Sequence, residues 1–390
     1  MDFLKPFSFT LKTKIEFGAD ARKKLPGLLA DLNGHRLLVV TDQRIEKQQW
    51  FKELIFLLEE KGYAASIYDK VEGNPKDRNA EEAAEQARAF RANIVLAVGG
   101  GSPIDCAKAA AVLALQGGRA RDYENPERIG PNVLPIAALP TTAGTGSEVT
   151  LSSVITDTKE HFKFTIKASG TAPKLAVLDP AVTCSMPREL TAATGMDALT
   201  HAVEAFSSRA SEPIADACAL RAAELIAGYL PRAYDHGDDL TARSAVLLGS
   251  LLAGIAFSHA DVGAVHCIAE ALGGMYDLPH GVCNAVCLPV VMEYCGSACR
   301  EQYARLSTAM NSGDGNVALP EKAGAVDAVE CVKRLSGRVN LPGFASFNVP
   351  ESDFPLIAAK AAANGSNKNN IPVLQEADYL QILHLLKDTS

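Results

Sequence analysis

Two residues one helical turn apart are the first candidates for chemistry in this sequence. The segment "TGMDALTHAVE" (194–204) places the carboxylate of Asp197 four residues before the imidazole of His201, among apolar residues. Side chains at this spacing share one face of a helix, so the pair could bind one first-row metal ion. A buried, hydrogen-bonded structural pair has the same spacing, so the pair alone does not decide between the two interpretations.

Two further histidines strengthen the metal interpretation. His266 lies in "DVGAVHCIAEALGG" and His280 in "LPHGVCNAV", both apolar and glycine-containing segments. One carboxylate and three imidazoles form a donor set that suits Zn²⁺ or Fe²⁺ and leaves a position open for a substrate oxygen. His259, in "AFSHADVG", is close enough in sequence to His266 to line the same cleft.

A glycine-rich turn provides a second kind of site. "LAVGGGSPIDCAKAA" (96–110) is typical of a strand, a turn and a helix, with Ser102 expected as the N-cap and Pro103 at the first helical position. Gly99, Gly100 and Gly101 would let an anion approach bare backbone at the positive end of the helix dipole. The pattern is not GxGxxG, so it indicates phosphate or pyrophosphate, and a tight turn without ligand is the alternative.

A second loop and an acidic residue make the predicted identity of the ligand more specific. "ALPTTAGTGSEVT" (138–150) is rich in glycine and hydroxyls, which suits ribose and phosphates, although a solvated turn has the same composition. Two such loops favour a dinucleotide. Asp42 ends the strand "RLLVVTD", where a carboxylate accepts hydrogen bonds from ribose hydroxyls and repels a 2′-phosphate, so NAD is favoured over NADP.

The surrounding elements predict where these groups lie. Between residues 36 and 180 short β-rich runs alternate with amphipathic stretches, and this βαβα order predicts a parallel sheet with a ligand at the carboxyl ends of its strands. After Pro187 the segments are rich in alanine and leucine, which predicts an all-helical domain. We place the boundary in "LDPAVTCSMP", giving an α/β domain at 1–184 and a helical domain at 185–390.

Composition excludes several classes of partner. The chain has 390 residues, 47% of them hydrophobic, and a net charge of −8, so neither a nucleic acid nor an anionic membrane is an expected partner. The apolar run "SAVLLGSLLAGIAF" (244–257) is too short to span a bilayer and predicts a core helix. Nine cysteines without a CxxC pair, and a start without a secretory signal, predict reduced thiols and a cytoplasmic protein.

Several long motifs in a fixed order carry a family resemblance. They are "VEGNP", "AVGGGSPID", "LPTTAGTGSEVT", "LDPAVTCSMP", "TAATGMDALTHAVEAF", "VGAVHCIAEALGG" and "LPHGVCNAVCLP". Through most of its length the sequence closely resembles the iron-containing (group III) metal-dependent alcohol dehydrogenases. The resemblance implies a Rossmann-like N-terminal domain, an all-helical C-terminal domain, a cleft for NAD and one divalent metal, and a homodimer or higher homo-oligomer.

The resemblance also implies roles for individual residues. The metal ligands fall on Asp197, His201, His266 and His280, and Phe257 corresponds to an aromatic residue that faces the nicotinamide. The pyrophosphate loop falls on Gly99 to Ser102. The full set of implied cofactor contacts is Asp42, Asn74, Gly99, Gly100, Gly101, Ser102, Asp105, Thr141, Thr142, Ser147, Val154, Lys163, Leu178 and Thr183.

Three departures from the family pattern bear on the substrate. Relatives commonly carry a second histidine four residues after the third ligand, credited with proton relay, and Glu270 stands there instead. His259 replaces a common asparagine, and "NGSNKNNIPVLQEAD" lacks the usual "NPR" segment. We therefore expect the relay to run through Glu270, His259 or water.

The expected activity is NAD- and metal-dependent hydride transfer between nicotinamide C4 and a small primary alcohol or its aldehyde. A charged or polar short-chain aldehyde also fits, because His259 and Lys368 offer polar or cationic partners. The first alternative is a lyase of the dehydroquinate synthase kind, which shares the architecture but needs several basic residues that the metal segments lack. The second is an NAD-binding sensor without catalysis.

Overall fold

The computed structural model describes residues 6–160, 162–312 and 325–388. Its strands are Lys14–Phe17 (β1), Arg36–Val40 (β2), Ala64–Tyr68 (β3), Ile94–Gly99 (β4), Ile136–Pro140 (β5), Ser152–Asp157 (β6), Phe162–Lys167 (β7) and Leu175–Leu178 (β8). The helices of the first half are Leu25–Leu29 (α1), Gln43–Glu46 (α2), Gln49–Glu60 (α3), Asp77–Phe90 (α4), Gly101–Gln116 (α5) and Pro180–Thr183 (α6).

A helical region follows the strands. Its helices are Arg188–Phe206 (α7), Pro213–Asp235 (α8), Leu240–Ala260 (α9), Ala264–Tyr276 (α10), His280–Cys295 (α11), Arg300–Asn311 (α12), Ala325–Arg338 (α13), Phe354–Ala363 (α14) and Glu376–Asp388 (α15). They enclose one large alanine- and leucine-rich core. α9 is long and apolar enough to cross a membrane, but most of it is buried among its neighbours, as the sequence predicts for a core helix.

The sheet that the sequence predicts is confirmed. Six strands pair in parallel in the order β1-β8-β5-β4-β2-β3. The central strand β4, "IVLAVG", is buried along its whole length, because helices cover both faces of a parallel sheet. The chain runs from β2 outward to β3 and then returns to β4 on the other side of β2, so the strand order reverses between β2 and β4.

This reversal brings together the loops that carry the predicted cofactor residues. Val40 pairs with Ala97, and Gly99 pairs with Pro140, so β2, β4 and β5 end side by side. The loops after these strands and the start of α5 contain Asp42, Gly100 to Ser102, and Thr141 with Thr142. A crevice at such a point is where ligands of open parallel sheets bind.

The start of α5 differs from the prediction. Gly100 in an extended conformation is the N-cap and the helix begins at Gly101, so Ser102 is not the cap and Pro103 is the third helical residue. Proline is still tolerated there, because the first-turn N–H groups have no partner inside the helix. No side chain of the described residues caps this helix end, and its first two residues, Gly101 and Ser102, line the cleft.

The β6–β7 hairpin was not predicted. These strands form a separate antiparallel pair, with Val154 opposite Thr165 and Thr156 opposite Lys163. The hairpin lies beside α5 and α10 rather than in the parallel sheet, and it carries two of the predicted cofactor residues, Val154 and Lys163, to the cleft.

The loop after β5 packs closely against the helical half. A Cβ atom on Gly146 would lie 2.5 Å from Gly254 Cα on α9, and Gly146 has a positive φ of 58°. A Cβ atom on Gly144 would lie 2.8 Å from the carbonyl oxygen of Thr194 on α7. The second glycine-rich loop is therefore not a solvated turn, since its glycines allow backbone to pack directly against two helices.

We predict that Gly254→Ala destabilises the protein although alanine is the better helix former. The added Cβ would meet Gly146 Cα at 2.8 Å and its carbonyl oxygen at 3.0 Å, and overpacking of this kind costs about 1–3 kcal/mol. The expected result is a lower thermal midpoint. The matched control is Gly337→Ala in α13, where nothing lies within 4 Å and a gain of about 0.5–1 kcal/mol is expected. Equal midpoints for the two variants would contradict the contact.

Candidate metal centre and cofactor cleft

A cavity of about 460 Å³ lies between the sheet edge and the helical half. The α/β half contributes the start of α5, the loop after β5 and the β6–β7 hairpin. The helical half contributes three histidines, an aromatic residue and two acids, namely His201, His266, His280, Phe257, Asp261 and Glu270. Residues 364–366 and Lys368 form the outer wall.

The four predicted metal ligands come together at one end of this cavity. Asp197 and His201 lie one turn apart on α7, His266 lies in the first turn of α10, and His280 is the first residue of α11. One donor atom from each lies within 4.8 Å of the others. The first three side chains are buried and His280 is partly exposed.

The donor set fits a divalent cation. Asn284 Nδ2 lies 2.6 Å from Asp197 Oδ1, 3.0 Å from His266 Nε2 and 3.1 Å from His280 Nε2. An amide nitrogen has two hydrogens and cannot donate to three acceptors, whereas one cation can accept all of these lone pairs. One carboxylate with three imidazoles suits Fe²⁺ and Zn²⁺ alike.

The charge states of three of the four predicted ligands also fit. Burial opposes ionisation of Asp197, but the imidazoles of His201, His280 and His266 outweigh it and hold the pKa of the carboxyl below its usual value. Burial lowers the pKa of His201 to about 4 and the pKa of His280 well below its usual value. At neutral pH the carboxylate is therefore ionised and these two imidazoles are neutral, which are the forms that bind metal.

Glu204 is a functional candidate that the sequence interpretation missed. Its buried carboxylate accepts a hydrogen bond from His266 Nδ1 at 2.5 Å and another from the backbone N–H of Val265 at 2.7 Å. Burial lowers the pKa of His266, but Glu204 outweighs this and raises it. A carboxylate behind an imidazole fixes the ring so that the other nitrogen faces the metal. The spacing signal was present, since Glu204 lies seven residues after Asp197 on the same helix.

The start of α5 provides the groups for a pyrophosphate. Gly101 and Ser102 line the cavity at the N-terminus of a 16-residue helix. A Cβ atom on Gly100 would lie 3.0 Å from the Thr142 side chain, and one on Gly101 would lie 2.6 Å from the Thr145 side chain. Because these positions lack Cβ atoms, the loops after β4 and β5 can pack together and leave backbone N–H groups open to an anion.

A buried network supports the cofactor side of the cavity. Asp105 accepts hydrogen bonds from Ser147 Oγ at 2.5 Å and from the N–H of Val154 at 3.0 Å, so three predicted cofactor residues meet. Beneath them the fully buried ammonium of Lys108, which the sequence interpretation missed, donates to Ser147 Oγ at 2.8 Å and to Thr150 Oγ1 at 3.0 Å.

Lys163 and Asn74 join the hairpin to the helical half. Lys163 Nζ donates to Asn74 Oδ1 at 2.8 Å, and Asn74 Nδ2 donates to Asp277 Oδ1 at 2.9 Å. Lys76 also contacts Asp277 Oδ1, at 2.8 Å. Burial lowers the pKa of Lys163. Lys163 and Asn74 line the cavity, where an ammonium and an amide can hold ribose hydroxyls.

The remaining predicted cofactor residues do not line the cavity. Asp42 caps α2 by accepting from the N–H groups of Arg44 and Ile45, and Thr183 Oγ1 donates to the carbonyl oxygen of Pro180. Leu178 is fully buried in the core. Gly99 accepts a backbone hydrogen bond from Thr141 at 3.0 Å, and Gly100 packs against the side chain of Thr142. Their contacts with the cofactor stay predictions.

Of the three predicted catalytic residues, two line the cavity and one does not. Phe257 lines the cavity and stacks on His201 with ring centroids 4.3 Å apart, and Glu270 lines it with Oε2 accepting from Asn364 Nδ2 at 2.7 Å. His259 is not among the lining residues, because its ring turns away, stacks on Phe9 at 4.1 Å and lies 3.3 Å from the backbone nitrogen of Thr10. This placement gives no support to a relay through His259.

Comparison with known proteins agrees with this geometry. The family model for iron-containing alcohol dehydrogenase matches residues 12–180, and the model for the C-terminal region of the Fe-containing alcohol dehydrogenase family matches residues 191–388. The 1,3-propanediol dehydrogenase of Citrobacter freundii is 40% identical over 342 residues, covering 87% of this chain and 88% of that protein.

Two further relatives cover nearly the whole chain. The NAD-dependent methanol dehydrogenase of Bacillus methanolicus is 34% identical over 94% of this chain and 96% of its own length. A solved structure of 1,3-propanediol oxidoreductase superposes with a TM-score of 0.92 at 37% identity, covering 98% of this chain and 100% of that one. Together with the cluster of one aspartate and three histidines, these matches show an oxidoreductase acting on CH–OH groups with NAD and a divalent metal. The chain belongs to the iron-containing alcohol dehydrogenase family.

Proposed function

We propose that this alcohol dehydrogenase interconverts a short-chain primary alcohol and its aldehyde, with Asp197, His201, His266 and His280 as the metal ligands. The observation that carries the proposal is the grouping of the four donor atoms within 4.8 Å at the wall of the cavity that Phe257 also lines. The relatives named for propanediol and methanol support a short substrate. The comparisons favour this reaction over the lyase alternative.

Residues of this chain supply the positioning. When bound, the metal provides Lewis-acid polarisation of the substrate oxygen and NAD provides the carbon that exchanges the hydride. The ring of Phe257, stacked on His201, narrows the cavity beside the ligands and so favours a small substrate. Lys163 and Asn74 orient the cofactor from the hairpin side, and enclosure between the two halves excludes water from the transfer.

Glu270 is the proposed proton acceptor. Oxidation of an alcohol releases one proton besides the hydride, and that proton must leave the cleft. Among the hydrogen bonds of the described residues, one holds Glu270 Oε2 to Asn364 and none reaches Oε1, which leaves Oε1 free to accept. Glu270 also lines a second cavity of about 420 Å³, so the same carboxylate borders an exit path that Lys360 and Gly274 help to line.

We also propose the domain division at 184/185, a homodimer or higher homo-oligomer, and a cytoplasmic location. The two family matches, which end at residue 180 and resume at residue 191, support the division. The nine free cysteines support a reducing compartment. Among the described strands β1 pairs on one side only, which leaves an edge available to a second copy.

The activity is tested with purified protein loaded with Fe²⁺ or Zn²⁺ and a panel of short alcohols and aldehydes. We expect NADH formation with a primary alcohol, and loss of the activity on chelation with recovery on adding metal back, because the metal polarises the substrate oxygen. Absorbance at the NADH band measures the rate. Binding of NADH without turnover on any member of the panel, in protein shown by analysis to contain metal, would instead support the sensor alternative.

We predict that Asp197→Ala and His280→Ala each lose metal and activity together. Removing a residue that only hydrogen-bonds to a metal ligand already lowers metal affinity by about 10–100-fold, and removing the ligand itself lowers it further. Metal content by elemental analysis and kcat/KM check the result. His236→Ala is the matched control, since this exposed histidine follows α8 and is not part of the cluster. A variant of either ligand with full metal content and rate would show that the ligand set is wrong.

We predict that Glu270→Gln lowers kcat for alcohol oxidation by about 10²–10⁴-fold, because the amide keeps the size of the side chain but cannot take a proton. Glu270→His should recover a large part of the rate, since imidazole is a proton acceptor. Metal content and the KM for NAD should stay unchanged, which separates this effect from damage to the site. Wild-type kcat in Glu270→Gln would exclude the relay.

A further inference from the structure

The three histidine ligands differ in the hydrogen bonds that the surrounding protein makes to their rings. His266 is held by the Glu204 carboxylate at 2.5 Å, and His201 Nδ1 lies 3.3 Å from the carbonyl oxygen of Gly144. Among the described residues, the ring of His280 has no hydrogen-bonding neighbour within 3.5 Å other than Asn284, and its Nδ1 is buried without a partner.

Asn284 is also the neighbour of the fourth ligand. Its Nδ2 donates to Asp197 Oδ1 at 2.6 Å, and no other hydrogen bond among the described residues reaches that carboxylate. Asn284 lies one turn after His280 on α11, and its side chain is 0% exposed. One amide therefore contacts the two ligands that otherwise lack a supporting partner.

We propose that Asn284 is a positioning residue of the metal centre, which fixes the Asp197 carboxylate through its hydrogen bond to Oδ1 and packs against the metal-facing edge of the His280 ring. A carboxylate held by a single hydrogen bond can rotate once that bond is removed. His280 begins its helix and is partly exposed, so little else restrains its ring. The inference rests on the proposed ligand set of Asp197, His201, His266 and His280.

The burial of Asn284 favours this role over simple packing. An amide placed in an apolar core costs free energy unless its groups are paired, and Asn284 Oδ1 is buried without a partner. If the side chain at this position only filled space, leucine would stabilise the fold more, because it has a similar volume and no polar atoms. The amide is explained by its contacts with the ligands.

The test measures metal affinity in Asn284→Leu, with Zn²⁺ and a chelating indicator in competition. We expect the Kd for Zn²⁺ to rise about 10–100-fold, the range for loss of an outer partner of a ligand. In protein loaded with Co²⁺, the visible absorption bands should shift, because the ligands change orientation. The Kd for NADH should stay within twofold of the wild-type value. Asn311→Leu is the matched control, since its amide contacts Ser307 on its own helix and Cys331 on α13 and no metal ligand.

The outcomes separate this inference from the ligand assignment. If His280→Ala loses metal while Asn284→Leu binds Zn²⁺ within twofold of wild type with unchanged Co²⁺ bands, the role of Asn284 is overturned and the ligand set stands. If His280→Ala itself binds Zn²⁺ with the wild-type Kd, the assignment of the four ligands is wrong, and the role of Asn284 that rests on it is wrong as well. Should Asn284→Leu not fold, Asn284→Ser decides, because its shorter hydroxyl cannot reach Asp197 and the same weakening is expected.

Discussion

The burial of negative charge on one helix is the constraint on which the helical half depends. α7 carries the carboxylates of Asp197 and Glu204 in the protein interior, and a buried carboxylate is stable only when cations or hydrogen-bond donors surround it. Those partners come from α10 and α11, whose N-terminal turns therefore pack against α7 with His266, His280 and Asn284 facing inward. A divalent cation completes the compensation.

The cleft forms because the two halves meet at one edge. The parallel sheet presents its turns after β4 and β5 to the helical half, and the loop after β5 reaches α7 closely enough for Gly144 to contact both Thr194 and His201. The same loop supplies Ser147 to the Asp105 network. The loop that supports the proposed cofactor side of the cleft thus also contacts His201, one of the proposed metal ligands.

Much of this arrangement could be predicted from the sequence because its signals are local. The alternation of strands and helices predicted the parallel sheet, and the spacing of Asp197 and His201 predicted a shared helix face. The spacing of Glu204 from Asp197 also indicated a shared helix face, but the roles of Glu204 and Asn284 depend on which helix packs opposite and could not be assigned from the sequence. His259 was placed by its nearness in sequence to His266, but α9 ends at Ala260 and directs His259 toward the segment before β1. The hairpin was missed because its strands pair outside the main sheet.

The contact between Gly146 and Gly254 has a consequence for how such proteins can be recombined. Each glycine leaves room for the backbone of the other, so the two positions depend on each other although they lie in different halves of the chain. A helical half taken from a relative would dock on this sheet only if it presented a bare backbone opposite Gly146. Whether a chimera built by exchanging halves near residue 184 folds therefore depends on this pair of glycines as well as on the junction.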